Sequence, residues 1–153
     1  MSEPAKPPPP TALSHPSRPV LRLPARLVML AGLLMLTGVM AGAWGTHGLR
    51  HAVVPGLADI WKTAVFYQLL HGVAIILVSV LSAWLSTRKI LLWAAWLMLL
   101  ATLMFSGSLY ALVLTGRHWM PFLTPIGGLC FLISWALVII GAWGARHDAN
   151  ISL

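Results

Sequence analysis

The chain has 153 residues, of which 59% are hydrophobic and 8% are charged, and its formal net charge at pH 7 is +7. Soluble domains carry roughly 25% charged residues, so this composition excludes a soluble globular protein and predicts one that lives in a membrane. The positive charge does not indicate nucleic-acid binding, because the Lys and Arg residues neither cluster on one predicted face nor alternate with exposed aromatic side chains.

The N-terminal segment, residues 1–25, is rich in proline and basic. Such a segment cannot bury enough apolar surface to fold, so we predict a disordered tail. The tail and the apolar run after it also resemble a secretory signal, but both are long for one, and cleavage would leave three helices with nothing soluble to secrete. We therefore interpret the apolar run as the first transmembrane helix.

Four long runs without a charge follow the tail. At about 1.5 Å per residue, roughly 20 residues of helix cross a hydrocarbon core of roughly 30 Å. The predicted fold is an all-α membrane protein, an antiparallel bundle of four transmembrane helices. The helices are expected at about residues 27–45, 61–86, 90–116 and 120–145, within a transmembrane domain of residues 26–146 that is followed by a short tail, 147–153.

The first helix carries a stripe of glycines, Gly38, Gly42 and Gly45, where another helix can approach closely. In the loop after it, Pro55 and Gly56 predict a turn, and Asp59 stands where an N-cap for the second helix belongs.

Two histidines of the first loop, His47 and His51, are spaced as metal ligands on one helical turn would be. A third ligand would have to be Asp59 or His118, and no compact ligand motif supports that set. We therefore interpret them as interfacial histidines without a metal.

The second helix places polar side chains deep in the membrane. Counted from Trp61 at about 1.5 Å per residue, Tyr67 and Gln68 lie roughly 9 to 11 Å deep and His71 roughly 15 Å deep, near the midplane. Spacing by one helical turn predicts that they share one stripe.

The third and fourth helices carry polar groups at matching depths. Ser106 and Tyr110 are four residues apart and share a face, whereas Ser108 points elsewhere and must bond to another helix or to its own backbone. The fourth helix begins with Thr124 and a glycine pair. Three glycines, Gly107, Gly127 and Gly128, are predicted to pack against neighbouring helices.

Two interpretations of this polar cluster stay open at this point. In the first, the side chains form hydrogen bonds that join neighbouring helices, and each bond stabilises the bundle by about 0.6 to 2 kcal/mol in a membrane. In the second, they line a small wet cavity that opens to the outside with His71 at its floor.

The charge distribution predicts the orientation. Under the positive-inside rule, six basic residues near helix ends against three favour both termini in the cytoplasm. The six are Arg18, Arg22, Arg26, Arg88, Lys89 and Arg146, and the three are Arg50, Lys62 and Arg117. Six tryptophans are expected at headgroup level: Trp44, Trp61, Trp84, Trp93, Trp119 and Trp143.

No motif for catalysis or cofactor binding is present in the sequence. Asp and Glu are absent from all four predicted spans, which excludes a carboxylate pair for acid–base chemistry and the carboxylate of small proton-coupled antiporters. A phosphate loop, a zinc signature and a nucleophile elbow are missing too. Bis-histidine haem is unsupported, because only His71 lies deep, and Cys130 is expected to be a small apolar filler. We predict no catalytic, cofactor-binding or metal-binding residue, and no enzyme.

Four segments in order, AGAWGTHGLR, WKTAVFYQLLHG, FSGSLYAL and TPIGG, resemble the YgdD-like small bacterial inner-membrane proteins, a family of unknown function with distant animal relatives. The resemblance covers about residues 27–145, with Thr46 replacing the alanine that the family has before its histidine. It implies a multi-pass membrane protein, and it implies no activity, catalytic residue or cofactor.

The sequence therefore predicts a non-enzymatic inner-membrane protein that acts through helix contacts as an accessory or structural component. The alternative is a subunit of a small oligomeric transporter or channel with a polar cavity in its outer half, and a membrane enzyme or metal-binding protein comes third. The expected partners are the lipid bilayer and either further copies of the chain or other membrane proteins.

Overall fold

The computed structural model describes residues 23–48, 55–116 and 122–151. Within them the chain forms four α-helices: α1 (Ala25–His47), α2 (Pro55–Trp84), α3 (Arg88–Thr115) and α4 (Leu123–Ile151). Each is long and apolar enough to cross a membrane. The predicted all-α membrane fold is confirmed. The predictions for residues 1–22, Arg50, His51, Arg117, His118 and Trp119 concern residues outside the described part of the chain.

The second helix begins earlier than the sequence suggested. It starts at Pro55 rather than near residue 61, because proline has the backbone φ of a helix and its missing N–H leaves no donor unpaired in the first turn. The predicted turn at Pro55 and Gly56 is therefore wrong, and so is the N-cap at Asp59. Asp59 lies within α2 and pairs instead with Lys62, at 2.9 Å between Oδ1 and Nζ, in an exposed ion pair.

Short connections reverse the chain. Residues 85–87 join α2 to α3, and the Thr87 hydroxyl donates a hydrogen bond of 2.7 Å to the carbonyl oxygen of Gly141 in α4. At the other end, α3 stops at Gly116, whose φ of 65° is left-handed and whose N–H donates to Leu112 O at 2.9 Å. The fourth helix continues to Ile151, past the predicted boundary near residue 145.

Consecutive helices pack side by side in opposite directions. The central pair, α2 and α3, is the more buried, while α1 covers α2 and α4 covers α3. The apolar core contains many small residues, including Ala31, Ala94 and Ala95, which let the helix backbones approach. Outward faces of all four helices are rich in exposed Leu, Ile, Val, Met and Trp, as expected for surfaces that meet lipid.

Candidate functional site

The amide of Gln68 connects three helices. Its Nε2 donates to Leu34 O at 2.8 Å and to Thr37 Oγ1 at 2.9 Å, both in α1. Its Oε1 accepts a hydrogen bond of 2.7 Å from the Tyr110 hydroxyl in α3. The side chain is buried, with 5% of its surface exposed. A buried amide with both of its ends paired holds α1, α2 and α3 in one register.

Trp61 extends this contact toward the end of the bundle where α1 ends and α2 begins, which we call the first-loop end. Its indole Nε1 donates to Ala41 O at 2.9 Å, and its ring lies 4.5 Å from the Tyr110 ring and 5.0 Å from the Trp44 ring, between centroids. The Trp61 ring is only 6% exposed and so packs between helices, a role that the sequence did not predict. The rings of Trp44, Trp84, Trp93 and Trp143 are exposed.

The glycine stripe of α1 faces α2. A Cβ at Gly38 would lie 2.7 Å from Leu69 Cδ2, and a Cβ at Gly45 would lie 2.6 Å from the Trp61 ring. At Gly42 the nearest atom would be Val65 Cγ1, at 3.4 Å. Without a Cβ at these positions, α1 comes close enough for its carbonyl oxygens to accept hydrogen bonds from Gln68 and Trp61.

His71 lies on a different face of α2 from Gln68 and packs against α4. Its ring stacks on Phe131 with 3.6 Å between centroids and lies 5.7 Å from the Tyr67 ring. Nδ1 is 2.9 Å from the Tyr67 carbonyl oxygen, which can only accept, so Nδ1 carries a proton. With 4% exposure, His71 belongs to an aromatic cluster. The predicted single stripe of Tyr67, Gln68 and His71 is thus divided. Gln68 contacts α1 and α3, whereas Tyr67 and His71 both lie against Phe131 of α4.

Ser108 joins α3 to α4. Its hydroxyl donates to Phe105 O at 2.9 Å and shares a hydrogen bond of 2.7 Å with the Thr124 hydroxyl. Gly127 lies against the backbone of α3, since a Cβ there would be 2.7 Å from Phe105 N, whereas a Cβ at Gly128 would make an ordinary contact of 3.9 Å with the Phe105 ring. Ser108 therefore bonds both to its own backbone and to another helix, where the sequence predicted one or the other.

A cavity of about 360 Å³ lies beside Gln68, between α1 and α3. Ser106 and Tyr110 line it together with Gln68, Thr37 and Trp61, whereas His71 is not part of its wall. Ser106 is 2% exposed, and its hydroxyl has no hydrogen-bond partner among the described residues. Gly107 lies on the same wall, where a Cβ would meet nothing within 4 Å, so it marks no helix contact within the chain.

A second recess, of about 630 Å³, lies between α1 and α2 at the first-loop end. Its wall combines the apolar side chains of Val65, Phe66 and Leu69 with His47 and Lys62. Among the described residues no group of three His, Cys, Asp or Glu side chains is placed to hold a metal ion. The His51 and His118 ligands considered from the sequence fall outside those residues.

Several hydrogen-bonding residues were not anticipated from the sequence. Ser79 and Ser82 are buried in the part of α2 nearer its connection to α3, and Ser82 donates to Ser79 O at 2.7 Å. Thr37 was missed although its neighbour Gly38 was singled out. Its position at the depth of Gln68, on the facing helix, was the signal available.

A family model described as "Protein of unknown function (DUF423)" matches residues 41–128. The chain belongs to the DUF423 family. A UPF0382 membrane protein of Staphylococcus haemolyticus is 38% identical to it over 116 residues, which cover 76% of this chain and 93% of that protein. UPF0382 membrane protein YwdK of Bacillus subtilis is 34% identical over 115 residues, 75% of this chain and 94% of that protein. No solved structure matches the chain.

The comparisons identify this DUF423 member as an uncharacterised multi-pass membrane protein, as the sequence predicted. The matched region includes the hydrogen bonds of Gln68 with Tyr110 and of Ser108 with Thr124, whereas Leu34 and Thr37 precede it. Chemically, these groups are arranged to hold helices together, since each is engaged with a neighbouring helix.

Proposed function

We propose that this DUF423 protein is a non-enzymatic accessory or structural component of the membrane that acts through helix contacts. The observation that carries the proposal is the use of its polar groups: the Gln68 amide, the Tyr110 hydroxyl and the Ser108 hydroxyl are all engaged by neighbouring helices. A general acid or base must reach a substrate proton, and these groups are committed to the fold. The sequence also lacks Asp and Glu between residues 60 and 147.

The two outer helices supply the surfaces for such contacts. A smaller share of α1 and α4 than of α2 and α3 is buried within the chain. Met40 of α1 and Ile139 of α4 are 63% and 66% exposed. In a bilayer these faces meet either lipid or another membrane protein, and helices associate there by van der Waals packing and interhelical hydrogen bonds.

Site-specific photo-crosslinking in native membranes tests this proposal. Benzoylphenylalanine is placed at Met40 or at Ile139, with Leu77 of the central helix α2, 63% exposed, as the matched lipid-facing position. We expect a cross-linked protein species of one fixed mass from Met40 or Ile139 and none from Leu77. If all three positions give the same diffuse lipid adducts, the proposal is contradicted.

The second candidate is a subunit of a small oligomeric transporter or channel. The cavity beside Gln68 favours it, because a recess within the span that has hydrogen-bonding side chains in its wall could form part of a substrate pathway. The recess occupies only the half of the bundle near the first-loop end, so a pathway across the membrane would need several chains. A cross-linked product at about twice the mass of the 16.6 kDa chain would support this candidate over the first.

We also propose that the protein lies in the bacterial inner membrane with both termini in the cytoplasm, on the basis of the bias in Lys and Arg near the helix ends. The first-loop end of the bundle is then the outer end. We further infer that the YgdD-like proteins belong to the same family as this chain, because the four motifs that they share with it occur in the same order.

A further inference from the structure

Both polar and apolar side chains line the cavity between α1 and α3. Gln68 and Tyr110 are among the polar ones, and Leu103 and Leu114, which are 56% and 61% exposed, are among the apolar ones. Ligand sites commonly enclose roughly 300 to 1,000 Å³, and the volume of about 360 Å³ falls in that range. The volume also far exceeds that of one ordered water, about 30 Å³.

Nearly every hydrogen-bond donor around this cavity is already used. Trp61 Nε1, both hydrogens of the Gln68 amide and the Tyr110 hydroxyl donate to groups of the protein. The Thr37 hydroxyl donates to its own helix, at 2.8 Å from Leu33 O. The oxygen atoms of these residues can still accept a hydrogen bond, because a carbonyl or hydroxyl oxygen has two lone pairs.

Ser106 is the exception. The residue lines the cavity and is 2% exposed, and its buried hydroxyl has no partner among the described residues. A polar group left unpaired in an apolar environment costs free energy that a hydrogen-bonding ligand would recover. One free hydroxyl beside several free acceptors suits a ligand group that both donates and accepts, which is the property of an alcohol.

Charge restricts the ligand further. All the residues that line the cavity have uncharged side chains, so an ionised headgroup would be buried there without a partner, at a high cost. We propose that the cavity binds an uncharged lipid that carries a hydroxyl group, with the hydroxyl against Ser106 and the apolar chain leaving between α1 and α3. This inference goes beyond the proposed function and does not rest on it.

Photoaffinity labelling of the purified full-length protein in lipid nanodiscs tests the inference. The probe is a sixteen-carbon alcohol with a diazirine in its chain, and its methyl ether, which lacks the O–H donor, is the comparison probe. We expect saturable labelling by the alcohol, mapped to α1 or α3, and at least tenfold weaker labelling by the ether. Equal labelling by the two probes, or labelling confined to α4, would overturn the proposal.

Gly107 provides the decisive variant. Because Gly107 lines the cavity and a Cβ at this position meets nothing within 4 Å, we expect Gly107→Leu to narrow the cavity without displacing a neighbouring helix. Gly32→Leu in α1 is the matched control, since a Cβ there also meets nothing and the residue does not line the cavity. We expect Gly107→Leu to lower labelling at least tenfold and Gly32→Leu to leave it unchanged.

Two further variants keep the test decisive if the leucine disturbs folding. Gly107→Ala adds one carbon and favours the helix, and it should lower labelling by less than the leucine does. Ser106→Ala removes one hydrogen bond and should weaken binding about threefold to tenfold. Binding that is unchanged in both variants contradicts the proposal.

Competition between the probe and unlabelled lipids distinguishes two classes of uncharged lipid that carry a hydroxyl group. Displacement of the probe by farnesol indicates an isoprenoid alcohol, and displacement by dioleoylglycerol indicates a glycerolipid. Loss of probe binding would leave cross-linking from Met40 and Ile139 unaffected, so failure of this inference and failure of the proposed function can be told apart.

Discussion

Replacing Gln68 with leucine should loosen α1 and α3 from α2 together. The change keeps a similar side-chain volume and removes three hydrogen bonds, to Leu34 O, Thr37 Oγ1 and the Tyr110 hydroxyl. Interhelical hydrogen bonds in membranes average about 0.6 kcal/mol, so three of them are worth about 2 kcal/mol. The free energy of unfolding should fall by about that amount.

A double-mutant cycle isolates the bond between Gln68 and Tyr110. Tyr110→Phe alone should cost about 0.6 kcal/mol, with an upper bound of about 1.7 kcal/mol. In the Gln68→Leu background the same change should cost nearly nothing, because its partner is gone. Tyr67→Phe is the matched control, since the Tyr67 hydroxyl has no hydrogen bond to a described residue and the ring contacts stay.

The assay is reversible unfolding in mixed micelles of a mild detergent and dodecyl sulfate, followed by circular dichroism of the purified protein. Equal stability of Gln68→Leu and wild type would refute the three-helix connection. A cost for Tyr110→Phe that is the same in both backgrounds would refute the hydrogen bond itself, because coupled residues cannot behave additively.

Three more predictions follow from particular contacts. Gly127→Ala should lower the free energy of unfolding by about 1 to 3 kcal/mol, because its Cβ would lie 2.7 Å from Phe105 N, whereas Gly128→Ala should be neutral or slightly stabilising; equal effects in the same micelle assay would contradict the packing. His71→Cys in a background without other cysteines should resist a water-soluble thiol reagent, because the side chain is 4% exposed and stacked on an aromatic ring; labelling equal to that of a first-loop cysteine in a folded variant would contradict this burial. Reporters fused at the C-terminus and inserted near Pro55 should report opposite compartments, and a periplasmic C-terminus would refute the topology.

The sequence was sufficient to predict four helices that are long and apolar enough to cross a membrane, and one pair of polar side chains that lie at the same level. Uninterrupted apolar runs located all four helices, because every backbone polar group in lipid must be bonded within a helix. Equal depth correctly suggested that Gln68 and Tyr110 lie at the same level, and they share a hydrogen bond.

The neighbouring helix that each side chain faces could not be predicted in the same way. Tyr67 and His71 are one turn apart, but Gln68 is rotated about 100° from Tyr67, which is enough to meet a different neighbour when α2 lies between other helices. The level of a side chain along its helix follows from the number of residues between it and the helix end. The neighbour that the side chain meets depends on how the helices are arranged.

Trp61 illustrates a related limit. From the sequence it stood beside the charge of Lys62 and near a predicted helix start, which is typical of a headgroup tryptophan. Because α2 continues back to Pro55, Trp61 lies inside a helix, and α1 covers its ring where Gly45 leaves room. The position of this helix boundary therefore decided whether Trp61 could be recognised as a residue that packs between helices.

The central claim, that the chain is a non-enzymatic component acting through helix contacts, is tested most directly by native mass measurement of the purified protein in detergent, with elemental analysis of the same sample. The account predicts single chains of 16.6 kDa, with or without bound lipid, and no stoichiometric metal or haem. A closed oligomer of identical chains would contradict it in favour of a transporter or channel subunit, and one metal ion or haem per chain would contradict it in favour of a metal-dependent activity.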